Sequence, residues 1–274
     1  MAPVGRFPPD STVSAAAQRA LMAGSVPRAA ARRDPTSRAI ASALRGAALG
    51  WLGPAEREWI ERIERRRREL VSGEALAALA GAPSGDWTTS STRTIRALRD
   101  GCRWTTMPPV WGRFLMRLIR ELAPRSCLEL GTGFGFSAAY QAAALELNGA
   151  GRLITLEAQP GAAEVAVQGL FALGLSEQVE VRIGPIAETL DEALESSSPV
   201  DYVLADADHT EEATMEHFAA MLPHVLPGSV VVFDDINWTE GMRRAWHAIA
   251  RHRSVSRALG LGRVGVAVIA APRA

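Results

Sequence analysis

Three short stretches hold most of the residues that could do chemistry. The first, CLELGTGFGFS over 127–137, sets an acid, Glu129, before three alternating glycines, Gly131, Gly133 and Gly135, with Thr132 among them and Ser137 just after. The second, LADADH over 204–209, carries Asp206, Asp208 and His209, and the third, FDDINW over 233–238, carries Asp234 and Asp235. A further acid, Glu157, closes the apolar run LITLE. Glycines at this spacing after an apolar run allow a tight turn and a close backbone approach to a ligand. A dinucleotide loop would read G-x-G-x-x-G, with its last glycine packed near a pyrophosphate. Here the third glycine comes one residue early and Phe136 holds that place. A carboxylate at Glu129 would repel pyrophosphate and attract an ammonium, so the stretch favours a cationic ligand without phosphate. The carboxylates of Asp206, Asp234 and Asp235 repel one another if they share an edge; they must bind a cation, take up protons or point apart into water.

Positioning these residues takes an alternation of strands and helices. Short apolar runs (SCLEL, RLITLE, VEVRIG, DYVLAD, SVVVFDD) are separated by helical patterns such as SAAYQAAALEL and TEEATMEHFAAMLPHVL. Continuous apolar strands between helices predict a parallel sheet covered on both faces. EGMRRAWHAIARHR then reads as a helix, and SVSRAL with VGVAVIA as a closing hairpin. The expected fold is α/β: a Rossmann-like, doubly wound, seven-stranded, mostly parallel sheet with a terminal antiparallel hairpin, plus an N-terminal helical extension. In such sheets ligands bind at the carboxyl ends of the strands, where the acids and glycines cluster.

LELGTGFGFS, followed by LITLE, resembles the class I S-adenosylmethionine-dependent methyltransferases, nearest to the subgroup of catechol and caffeoyl-coenzyme A O-methyltransferases. The similarity runs from about 107 to 269. It implies a small-molecule O-methyltransferase that binds S-adenosylmethionine through Glu129, Gly131, Thr132, Gly133, Gly135, Ser137, Glu157, Ala158, Ile186 and Asp206, with Glu157 on the ribose hydroxyls. It also implies a divalent cation held by Asp206, Asp234 and Asp235, the last at a position where the subgroup usually has asparagine. Oxygen ligands suit magnesium, calcium or manganese rather than zinc. Where related enzymes carry a lysine in a D-A-D-K pattern this chain has His209, which could take the acceptor's proton or merely precede a helix capped by Thr210. Asp206 and His209 are the expected catalytic pair. IGPIAETL puts Pro185 where an adenine-facing aspartate is common, which leaves adenine to backbone groups or to packing near Ile186. Trp87, Trp104, Met107 and Trp238 lie in segments that could wall the acceptor.

The rest of the chain bounds these expectations. It has 274 residues, 47% of them hydrophobic, enough for one large domain with an appendage. A net charge of zero argues against a nucleic-acid groove. No apolar run reaches membrane-spanning length. Cys102 and Cys127 show no metal spacing and fit a reducing compartment, so a cytoplasmic protein is expected. Residues 1–50, rich in Ala, Arg, Pro and Ser, read as a disordered arm. Residues 51–106 read as a helical cap, its GPAEREWIERIERRRREL helix showing Trp59, Ile63 and Leu70 at helical spacing and a solvated arginine run. Residues 107–274 read as the cofactor-binding domain. A homodimer through the charged helix fits this picture. Two other functions stay open: a cyclase or lyase that uses the same cofactor, and a non-catalytic assembly protein.

Overall fold

The computed structural model describes residues 14–72 and 106–271. Trp87, Cys102 and Trp104 lie outside the described residues.

Seven strands form one sheet in the order β3-β2-β1-β4-β5-β7-β6. They are β1 (Ser126–Leu130), β2 (Arg152–Glu157), β3 (Val179–Ile183), β4 (Val200–Ala205), β5 (Val225–Phe233), β6 (Val255–Gly260) and β7 (Gly265–Ile269). The first five run parallel, and β7 inserts antiparallel between β5 and β6. The expected architecture is therefore the observed one, hairpin included.

The period-two alternation of strand side chains divides the core between two faces. Cys127, Leu153, Tyr202, Leu204, Val230 and Val232 point to one side. Their neighbours Leu128, Leu130, Ile154, Leu156, Val203, Val231 and Phe233 point to the other. The second face is covered by α7 (Ile186–Ser197), α8 (Glu211–Met221) and α9 (Glu240–Ala250), through Leu190, Phe218 and Trp246. The first is covered by α4 (Pro109–Leu122), α5 (Phe136–Asn148) and α6 (Pro160–Leu173), with α1 (Ala15–Ala30), α2 (Pro35–Leu49) and α3 (Pro54–Ser72) joined to the same core. Among the described residues no helix is long and apolar enough to cross a membrane.

The expected disordered arm over 1–50 is corrected where it is described: residues 15–49 form two packed helices. Composition hid three local signals. Asp34 accepts a hydrogen bond from the Ser37 amide as an N-cap, Pro35 takes the first turn, and Gly50 ends the helix at φ 73°. Ile40 and Leu44 are fully buried, and each contributes about 1.5–3 kcal/mol through burial. Arg257 of β6 ties the pair to the sheet, donating to the carbonyl of Ala29 at 2.9 Å and to the Ser37 hydroxyl.

The arginine run of α3 is solvated only in part. Arg65 and Arg68 are exposed. Arg67 turns inward, 4.2 Å above the Phe136 ring, and donates to Glu64 and Thr106. The Phe136 ring of α5 and the Thr106 hydroxyl just ahead of α4 come within its reach, which a reading of one helix cannot reveal.

Candidate active site

Strand order reverses at β1, which lies between β2 and β4. A crevice opens beyond the carboxyl ends of such a pair, and the glycine stretch crosses it. Gly131 adopts φ 92°, and a Cβ there would sit 2.1 Å from the Asp206 carbonyl oxygen. The missing side chain is what lets the end of β1 meet the end of β4. At Gly135, φ 81°, a Cβ would meet Ala166 of α6 at 2.9 Å, so this glycine seats the start of α5.

Two adjoining pockets share Gly131, Glu157, Asp206 and His209. One is lined further by Thr106, Met107, Thr132, Gly133, Phe134, Phe136 and Ser137. The other, of 380 Å³, is lined by Ala158, Pro185, Ile186 and Ala187, a volume within the range of about 300–1,000 Å³ usual for small-ligand sites. Of the ten residues expected at the cofactor, eight line this groove. Gly135 acts from behind it. Glu129 does not reach it: its carboxylate is fully buried and accepts hydrogen bonds from Gln141 Nε2 at 2.7 Å and Thr155 Oγ1 at 2.6 Å. Burial pushes the Glu129 carboxyl up to about 7, against the lowering effect of these hydrogen bonds. A direct grip on an ammonium by Glu129 is therefore not the arrangement here; the acid braces the glycine loop through Thr155, whose hydroxyl also meets that of Thr132 at 2.6 Å.

Glu157 stands at the tip of β2. Its Oε2 accepts from the Gly133 amide at 2.7 Å and its Oε1 from the Gln159 amide at 2.8 Å. Each oxygen keeps a further lone pair for an outside donor. Among the described residues that line the two pockets there is no arginine or lysine. Carboxylates without cations repel a pyrophosphate and suit a cationic ligand bearing vicinal hydroxyls.

The second constellation lies at the tips of β4 and β5. Asp206, His209 and Asp235 each offer a ligand atom within 4.8 Å of the others, so these three could hold a divalent ion. Asp234 is not among them. It is fully buried, and Arg263 Nε and Nη2 donate to its two oxygens at 2.8 Å each. Arg263 also reaches Asp235, at 3.0 and 3.1 Å. The expected ligand set of Asp206, Asp234 and Asp235 thus gives way to one with His209 in place of Asp234. Arg263 itself had no sequence signal: it sits in the β6–β7 turn, and only the hairpin's insertion beside β5 brings it to the acids.

Burial, with Asp234 and Asp235 nearby, raises the Asp206 carboxyl well above the usual aspartate range. Burial also lowers His209 from its ordinary 6.5, with Asp234 opposing, so the imidazole is neutral at pH 7. Its Nε2 lies 3.6 Å from Asp206 Oδ1, while Nδ1 is buried without a partner. The Trp238 ring stands edge-on to His209 at 4.7 Å, which brings one of the expected wall residues to the site; Met107 lines the groove as well. Asp208, His209 and Asp235 all have positive φ, 59°, 46° and 52°. Left-handed backbone at a residue with a side chain costs about 1–3 kcal/mol, and three such residues gather here. Thr210 does cap α8, its hydroxyl accepting from the Ala213 amide, so His209 both precedes a helix and faces the groove. Cys127 is buried in the core, where burial pushes its thiol up.

Sheet order, glycine turn and strand-tip acids together match the arrangement that the sequence's resemblance to class I S-adenosylmethionine-dependent methyltransferases led us to expect. Residues 128–236 match a family model described as a methyltransferase domain. A catechol O-methyltransferase from Niastella koreensis is 36% identical over 132 residues, 48% of this chain and 58% of that protein. One from Mycobacterium tuberculosis is 36% identical over 125 residues, 46% of this chain and 54% of that protein. The chain thus spans a little over half the length of these curated relatives. Among solved structures, an O-methyltransferase from Bacillus cereus in complex with SAH superposes with a TM-score of 0.52 at 26% identity, over 71% of this chain and 97% of that one. Over residues 128–236 the chain is thus similar to methyltransferase domains, and over about half its length it resembles the catechol O-methyltransferases.

Proposed function

We propose that the protein transfers a methyl group from S-adenosylmethionine to a hydroxyl of a small molecule. The observation that carries this reading is the groove with Glu157 on one wall and Asp206 with His209 on the other, joined by the glycine turn. The glycine loop would pass under the cofactor. Glu157 would accept the two ribose hydroxyls, Ala158 and Ile186 would pack near the adenine, and Ser137 would lie toward the amino-acid end. The acceptor would enter beside Met107 and Trp238.

The reaction is an in-line displacement: the acceptor oxygen forms a bond to the methyl carbon as the carbon–sulfur bond breaks, yielding the methyl ether, S-adenosylhomocysteine and a proton. The sulfonium charge disappears in the step, so the site supplies position more than charge. Fixing the partners at about 3–3.5 Å is worth about 7–11 kcal/mol. His209 takes the hydroxyl proton on Nε2, where the neighbouring Asp206 stabilises the resulting imidazolium. A divalent ion, when bound, would polarise the acceptor hydroxyl, and Asp206, His209 and Asp235 would hold it. One imidazole nitrogen cannot be both ligand and base, and Arg263 already balances charge among the acids, so the base role is favoured.

Calorimetry with S-adenosylhomocysteine, followed by a turnover screen with hydroxylated aromatic acceptors, tests the reading. Binding and acceptor-dependent methylation are expected. Cofactor breakdown without acceptor would assign cyclase or lyase chemistry, and absent binding would leave an assembly role.

A further inference from the structure

A cation is already built into the acidic edge. The Arg263 guanidinium, 9% exposed, lies between Asp234 and Asp235 and takes both oxygens of the first in a bidentate pair. Planar guanidinium matches a carboxylate in this way better than any other side chain. The turn that carries it is clamped from both sides. The Ile236 amide donates to the Arg263 carbonyl at 2.9 Å, and Asn237 Nδ2 donates to the carbonyl of Gly262. On the other side Leu21 of α1 fills the space where Gly262, at φ 86°, lacks a side chain. Arg263 is thus held where it is by the backbone beyond β5 and by the N-terminal helix, and it does not sample the site from solvent.

We propose that Arg263 is an internal competitor for the divalent-cation site: by engaging Asp234 and sharing Asp235 it leaves only a weak three-ligand position at Asp206, His209 and Asp235. The charge count supports this. The acids draw an entering ion by their negative charge, and Arg263, set against both Asp234 and Asp235, cancels one unit of it before the ion arrives. It also blocks the approach to the two oxygens of Asp234. A tight site requires the arginine to leave, which would strand a guanidinium in a buried place. The functional consequence, a methyl transfer that proceeds without added metal, rests on the methyltransferase reading; the metal competition itself does not.

Titration with Mn2+ alone, followed by the electron paramagnetic resonance of the free ion, tests the proposal on the full chain and on Arg263→Gln and Arg263→Lys. The expected result is weak binding to the unaltered protein and an affinity about ten- to a hundred-fold higher in Arg263→Gln, the range for releasing a charged hydrogen-bonded group. Arg263→Lys should remain weak, and adding Asp234→Asn to Arg263→Gln should erase the gain. Equal affinity in the unaltered protein and Arg263→Gln overturns the proposal. If Arg263→Gln does not fold, tight Mn2+ binding by the unaltered protein still overturns it, and weak binding there together with weak binding by Arg263→Lys supports it. S-adenosylhomocysteine calorimetry in the presence of a chelator separates the two readings. Absent cofactor binding with a Mn2+ gain in Arg263→Gln defeats the methyltransferase reading and leaves the competition intact.

Discussion

The two walls of the groove are built by different physics. The wall at β1 and β2 is local and made of backbone. Gly131, Gly133 and Glu157 lie within 27 consecutive residues, and the contacts that shape them are amide hydrogen bonds and a backbone approach that tolerates no Cβ. The wall at β4 and β5 is assembled from afar and made of charge. Asp206, Asp234, Asp235 and Arg263 come from three separate segments, meet through side chains, and are accompanied by three left-handed non-glycine residues. One wall resembles a binding site fixed by the chain's path. The other is a balance of opposed charges that a single substitution can tip. The contrast suggests that the first wall sets which cofactor binds and the second sets what is done with it.

Four substitutions sharpen or break this contrast. Gly131→Ala should act most severely, because its Cβ would collide with backbone and its φ is strained for any side chain. The expected result is loss of soluble folded protein, or of all S-adenosylhomocysteine binding, by calorimetry; a variant that binds normally would show that the two strand tips do not need this contact. Arg263→Gln without metal should destabilise the fold by about 3–5 kcal/mol, the usual cost of leaving a buried charge unpaired. Denaturant unfolding checks this, and addition of Mn2+ should restore part of the loss.

Glu129 gives a smaller effect with a definite sign. Its carboxyl stands near 7 in the folded protein against an ordinary 4.5. The folded state therefore holds a proton that the unfolded chain has released, so the stability from this group is fully present below pH 4.5 and is lost as pH rises through about 7. Glu129→Gln, which mimics the protonated form and can keep its bonds to Gln141 and Thr155, should gain about 3 kcal/mol over the unaltered protein by pH 8 and nothing at pH 4. Parallel stability curves for the two proteins across that range would refute this. The mildest change is expected at Glu157→Ala: about ten- to a hundred-fold weaker S-adenosylhomocysteine, the worth of hydrogen bonds to a charged acceptor, with little change in Mn2+ affinity. An equal loss of both would mean that the two walls are coupled.

The sheet was legible because its strands are apolar runs of the right length separated by periodic helices, and the closing pair of runs announced the hairpin. Eight of the ten expected cofactor residues line the groove for the related reason that strand ends and the turns after them share one edge. Glu129 was misplaced because alternation decides only which face a strand residue takes, while Gln141 and Thr155, its partners, come from α5 and β2. The helices over 15–49 were missed although Asp34, Pro35 and Gly50 mark the second of them, since a bias toward alanine and arginine outweighed the caps. Their stability comes from burying Ile40 and Leu44 against a core written elsewhere in the chain.

By itself the sequence determined the elements of the sheet, the order in which they follow and the glycine–acid turn, because periodicity, capping and backbone freedom act over a few residues. Tertiary structure alone decided which charges meet. Asp234 was as good a metal ligand as Asp235 until β7 entered the sheet beside β5 and brought Arg263 against it. Electrostatic partners are chosen by distance in space, and at separations near 30 residues that distance exists only once the sheet has closed.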